Sequence, residues 1–66
     1  MEITFTINDV NNLEAVKDRL EDFNCVVCIV NGAIQVTDYA EESYIHRAIT
    51  AYKRALKGLT YKYTVI

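Results

Sequence analysis

Apolar and polar side chains alternate strictly at the start of the chain. Ile3, Phe5 and Ile7 fall on one parity and Glu2, Thr4 and Thr6 on the other. That period of two predicts a half-buried strand with its odd positions inward. Residues 8–12 (Asn-Asp-Val-Asn-Asn) break the pattern with turn and cap formers. Leu13, Val16, Leu20 and Phe23 then recur at helical spacing, with Glu14, Lys17, Asp18, Glu21 and Asp22 toward water. Asn11 followed by Glu14 has capping-box spacing, so the first helix is expected to open at Asn11.

Residues 25–36 (Cys-Val-Val-Cys-Ile-Val-Asn-Gly-Ala-Ile-Gln-Val) predict a β-hairpin. Asn31-Gly32 supplies the two positive-φ positions of a type I′ turn, because Asn tolerates that region and Gly enters it freely. A two-residue loop pairs Val30 with Ala33, Ile29 with Ile34, Cys28 with Gln35 and Val27 with Val36. Cys25, Val27, Ile29, Ile34 and Val36 then share the core face, and Val26, Cys28, Val30, Ala33, Gln35 and Thr37 share the other. The second hairpin strand alternates as a half-buried strand should. The first is apolar on both faces.

Asp38 and Glu41 repeat the capping-box spacing and are expected to open a second helix. Ile45, Ala48, Ile49, Tyr52 and Leu56 mark its buried side, with Ala40 and Ala55 where packing is close. Gly58 is placed as a left-handed C-cap. In the last strand, 60–66, Tyr61, Tyr63 and Val65 are expected on the core face, with Lys62, Thr64 and Ile66 opposite.

Strand, helix, strand, strand, helix, strand is the order of a ferredoxin-like βαββαβ sandwich. It implies an α+β fold with a four-stranded antiparallel sheet in order 4-1-3-2 and both helices on one face. Residues 1–66 make a single domain. The uncovered face then carries Glu2, Thr4, Thr6, Val26, Cys28, Val30, Ala33, Gln35, Thr37, Lys62, Thr64 and Ile66. Three families share this architecture, and each lacks its functional residues here. RNA-recognition motifs stack bases on aromatics of the open face, but Phe5, Tyr61 and Tyr63 have core parity. Heavy-metal-associated domains carry Cys-x-x-Cys after the first strand, where residues 8–12 hold no sulfur. Amino-acid-binding domains of the ACT type usually need glycine there, and none is present.

At 66 residues the chain is near the lower limit for a core that is stable without staples. Hydrophobic residues make up 52% and charged residues 24%, a globular rather than a disordered balance. No apolar run approaches the ~18 residues of a membrane span, and no basic-then-apolar leader is indicated. Cys25 and Cys28, three apart on a strand, point to opposite faces with Cα atoms about 10 Å apart. That is too far for a disulfide or a shared metal. Cys25 is expected to be buried and Cys28 accessible. Free thiols fit a cytoplasmic protein.

Charge is segregated. Residues 1–42 hold nine acids against Lys17 and Arg19, a balance of −7, and residues 43–66 hold five bases and no acid, together the formal −2. Helix-dipole complementation accounts for Asp38, Glu41, Glu42, Lys53, Arg54 and Lys57. Glu21-Asp22 has the wrong sign for the end of the first helix, which points to a surface kept negative for a partner.

No catalytic constellation emerges. His46 has no nucleophile or carboxylate partner placed for it, the acids are too dispersed for paired-carboxylate chemistry, and both glycines are used in turn and cap. The expectation is therefore not an enzyme, with no cofactor and no metal. The sequence points instead to a small protein-binding module, a possible homodimer, acting as a stoichiometric inhibitor or adaptor of the phage type. Its partner-binding residues would be Val26, Cys28 and Val30 on an unblunted strand edge together with Glu14, Asp18, Glu21 and Asp22. The alternative is nucleic-acid binding through Arg47, Lys53, Arg54, Lys57 and Lys62, against which stands a pI near 5.2.

Overall fold

A computed structural model describes residues 1–8 and 13–66. Four strands, β1 (Glu2–Ile7), β2 (Val26–Val30), β3 (Ala33–Tyr39) and β4 (Tyr61–Val65), alternate with two helices, α1 (Leu13–Arg19) and α2 (Ile45–Ala55). The fold is α+β. All strand pairs are antiparallel, in the order β2-β3-β1-β4, which is the expected order read from the other edge. Asn31 and Gly32 take φ of 50° and 77°, and all four expected hairpin pairs are present.

Strand parity decides the core. Ile3, Phe5 and Ile7 of β1 and Ile34 and Val36 of β3 are fully buried, and they form one cluster with Val16 and Leu20 from the first helical region and Ile45, Tyr52 and Leu56 from the second. Both helices therefore contribute to the same side of the sheet. Phe5 stands at the centre of the cluster. Its ring centroid lies 5.4 Å from those of Tyr52 and Tyr61 and 5.2 Å from that of Tyr63, while Phe23 meets Tyr52 at 4.5 Å. Such aromatic pairs add about 0.5–1.5 kcal/mol each beyond area burial.

The boundaries depart from expectation in ways that change the functional argument. The expected opening of α1 at Asn11 lies outside the described residues. The helix ends at Arg19, and Leu20 begins a tightening turn in which its N–H reaches the Val16 carbonyl at 3.2 Å and the Lys17 carbonyl at 3.1 Å. Glu21 and Asp22 thus lie beyond the helix, and its last turn holds Lys17 and Arg19. The two acids therefore follow the helix instead of forming its last turn.

Asp38 does not cap α2. It belongs to β3, paired with Ile3, because β1 templates that strand as far as Tyr39. The main chain continues the ladder past it: the Ala40 N–H donates to the Met1 carbonyl at 2.9 Å, and the terminal ammonium donates to the Ala40 carbonyl at 2.7 Å. A single 3₁₀ turn, Glu42–Tyr44, then leads into α2, which has no side-chain cap. Gly58, at φ 89°, ends the second helical region as expected.

Several residues with core parity are less covered than expected. Ile29 is 49% and Tyr63 40% exposed, and Cys25 is only half-buried. All belong to or adjoin the two outer strands. The helix layer closes over β1 and β3, and α1, seven residues or about 10 Å long, is shorter than the strand it would have to shield.

Candidate functional site

The registers lay out the uncovered face row by row. Val26, Thr37, Thr4 and Thr64 form one row across the sheet, and Cys28, Gln35, Thr6 and Lys62 form the next. Tyr39 and Glu2 begin a third, which Ile66 completes through paired main-chain bonds with Glu2 at 2.9 Å. The centre is threonine and glutamine, half-buried by close neighbours, and the apolar groups lie at the margins. Val26 is 67% and Tyr39 71% exposed, with the Tyr39 hydroxyl donating to the Glu2 carboxylate at 2.9 Å. That hydrogen bond, with the nearby negative charge, raises the Tyr39 pKa. Sequence reading missed Tyr39 because it ended the strand early; the continued parity of β3 is the signal that finds it.

β2 is the edge strand, as expected, and it is unblunted. Val26, Cys28, Ile29 and Val30 are all exposed, and no charge or proline interrupts them. Val26, Cys28 and Val30 run down its uncovered face. Glu14 and Asp18 are exposed on α1, and Glu21 and Asp22 are exposed in the turn beyond it. Since α1 packs on the opposite side of the sheet from Val26, Cys28 and Val30, the helix acids and the apolar row are two surfaces rather than one.

The five cations are also divided. Lys62 pairs with Thr6 on the uncovered face, whereas Arg47, Lys53, Arg54 and Lys57 lie on or just past α2. Two of these already have aromatic partners: the Lys53 ammonium lies 4.9 Å from the Tyr63 ring centre and the Arg47 guanidinium 5.8 Å from that of Tyr44. Arg19 plays a structural part that its sequence position did not reveal. Its Nη1 donates to the Lys57 carbonyl at 2.7 Å and the Ala55 carbonyl at 3.3 Å, placing a cation on the open end of α2. A shallow depression runs along His46, Arg47, Thr50, Ala51 and Arg54. Thr50 is used internally, donating to the His46 carbonyl at 2.8 Å.

Among the described residues the most interconnected polar group lies on the covered side. The Tyr52 hydroxyl donates to Asp38, and Tyr52 and the Cys25 thiol each affect the other's ionisation. Burial, reinforced by the Asp38 hydrogen bond, pushes the Tyr52 hydroxyl far above its ordinary range. Desolvation likewise pushes the Cys25 thiol up, against a smaller opposing effect of Tyr52. A thiol held protonated is a poor nucleophile, so this group is suited to tying α2 to β3 rather than to covalent chemistry. Both cysteines are free. No cluster of three potential metal ligands occurs among the described residues, and no described helix is long and apolar enough to cross a membrane. No protein-family model matches the chain, and no curated protein matches its sequence.

Proposed function

We propose that the chain is a protein-binding module of the ferredoxin-like class that acts by occupancy, with β2 and the sheet face beside it as its principal contact surface. The observation that carries the reading is an edge strand that is uncharged from Val26 to Val30 and exposed at four of its five positions. Soluble proteins usually block such an edge with charge, proline or a covering element. Left open, it offers a ladder of main-chain groups for affinity and alternate side chains for selection, which are the two parts of β-augmentation. The acids Glu14, Asp18, Glu21 and Asp22 give a second, separate surface that selects a basic partner and rejects acidic ones. A domain of this size, binding one-to-one in a reducing cytoplasm, fits the role of a stoichiometric inhibitor or adaptor such as phages and other mobile elements carry.

Capture from a lysate of the source cells on the immobilised protein tests the reading. A stoichiometric partner, or a second copy of the chain, should be retained by the native protein and lost with Ile29→Lys, which charges the edge at a side chain that is 49% exposed. Retention of the same partner by that variant, or a native chain that is monomeric and captures nothing, would sink it.

A further inference from the structure

β2 can pair with itself. The positive φ of Asn31 and Gly32 marks a two-residue type I′ loop, whose flanking pair, here Val30 and Ala33, is a hydrogen-bonded one, and bonded pairs alternate along an antiparallel ladder. Cys28–Gln35 and Val26–Thr37 are therefore also bonded pairs, whereas Val27 and Ile29 turn their N–H and C=O groups away from β3. β2 ends the sheet, so those groups face outward.

We infer that the occupant of this edge is a second copy of the chain, paired antiparallel through β2 about a two-fold axis at Cys28; the inference rests on the protein-binding reading of the edge. In this register Val27 of one copy faces Ile29 of the other. Those are the residues whose main-chain groups no strand pairs among the described residues, and each such pair exchanges both N–H···O bonds. The axis repeats the pair. Val26 faces Val30, so every position meets one of similar size and polarity on both faces, and the half-exposed Ile29 is covered by Val27 of the second copy.

Charge selects the direction. A parallel pairing would set Glu21 and Asp22 of the two copies side by side. The antiparallel one sends them to opposite ends of the ribbon and places neutral Asn24 and Cys25 against Gly32 and Asn31. The product is a continuous eight-stranded sheet with the helices of both copies on one side and the threonine-rich faces joined on the other.

The axis provides the assay. Cys28 meets Cys28 of the second copy in a non-hydrogen-bonded pair, with Cα atoms about 4.5 Å apart, inside the range of about 4.4–6.8 Å that a disulfide spans. Both thiols are free and Cys28 is exposed. Diamide supplies the oxidant: two thiols give up two protons and two electrons as one S–S bond forms, and the diazene is reduced to the hydrazine.

Light scattering should give twice the 7.6 kDa chain mass, unchanged at high salt because the contact is apolar. Diamide should link the native protein and Cys25→Ser into covalent dimers and leave Cys28→Ser unlinked. Ile29→Lys should weaken the dimer at least about tenfold and reduce cross-linking in step. Val27→Pro provides a second probe: it deletes an outward N–H and leaves the hairpin ladder intact. A cross-link that requires Cys25, a dimer indifferent to both edge variants, or a monomer at all concentrations would overturn the assignment. A monomer that still captures a foreign protein in an Ile29-dependent way would overturn only the second copy and leave the protein-binding reading standing.

Discussion

The Tyr52 hydroxyl, carried at the middle of α2, donates a 2.5 Å hydrogen bond to the Asp38 carboxylate near the end of β3. It joins the residue with the largest fully buried side chain to an acid that local spacing had assigned to a helix cap. Removing the hydroxyl alone, in Tyr52→Phe, keeps the ring contacts with Phe5 and Phe23 and deletes the tie. A hydrogen bond to a charged group is worth about 1.5–3 kcal/mol; Asp38 is only half-buried and can recover water, so the loss should lie near the lower end. For a domain of this size each 1 kcal/mol moves Tm by about 4–8 °C. Urea and thermal unfolding monitored by circular dichroism check it.

The same hydroxyl sets an alkaline limit. Its folded pKa lies above the ordinary 10.0, and that of Cys25 above 9.0. On unfolding both groups would release protons that the fold retains, so their contribution is complete below about pH 9 and is lost as pH rises past the unfolded values. Stability should therefore fall at high pH, with a limiting slope of about 1.4 kcal/mol per pH unit for each retained proton. Tyr52→Phe should flatten that slope. Tyrosinate absorbance near 295 nm should show one of the five tyrosines ionising only with global unfolding.

Arg19 closes the end of α2 by donating to the Ala55 and Lys57 carbonyls. Arg19→Met keeps the aliphatic stem and removes both bonds, and should cost about 0.3–1 kcal/mol at low salt. The cost should shrink as salt screens the helix dipole. Denaturant midpoints of the two proteins at low and high ionic strength measure the difference.

Gly58 lies at φ 89° with no atom within 4 Å of an added Cβ. A substitution there meets only the backbone preference, so Gly58→Ala should cost about 1–2 kcal/mol and Gly58→Asn less. Equal losses for the two would mean that packing, rather than dihedral angle, restricts the position.

The cations of the second half are expected to give no nucleic-acid binding at physiological salt. Lys62 is on the opposite side of the sheet from α2, Lys53 is engaged with Tyr63, and the chain is net negative. An end-labelled oligonucleotide should migrate unchanged in the presence of the protein. Retardation that Lys53→Glu, Arg54→Glu and Lys57→Glu together abolish would restore that reading.

The hairpin was legible because Asn31-Gly32 determines its own dihedral angles and the turn then counts off the register. Strand parity in β1 was legible for the same reason: alternation is a property of neighbouring residues. The candidate edge followed from these, since element order put β2 outermost and its lack of charge is visible in the letters. The surfaces around it were legible only in part. Local spacing made Asp38 a cap, yet pairing with β1, whose residues lie 35 positions earlier, held it in a strand and gave its carboxylate to Tyr52. The spacing of Leu13 to Phe23 ran past the end of a helix that closes at Arg19, and that placed Glu21 and Asp22 in a last turn that Lys17 and Arg19 hold. Ile29 and Tyr63 have the parity of core residues, but parity says which way a side chain points and not whether anything lies above it. By itself the sequence determined what neighbours dictate to one another: the turn, the register and the facing of each strand. Only the tertiary structure decided coverage and long-range partnership, because a helix layer of finite length shields the central strands first and leaves the edges to whatever binds them.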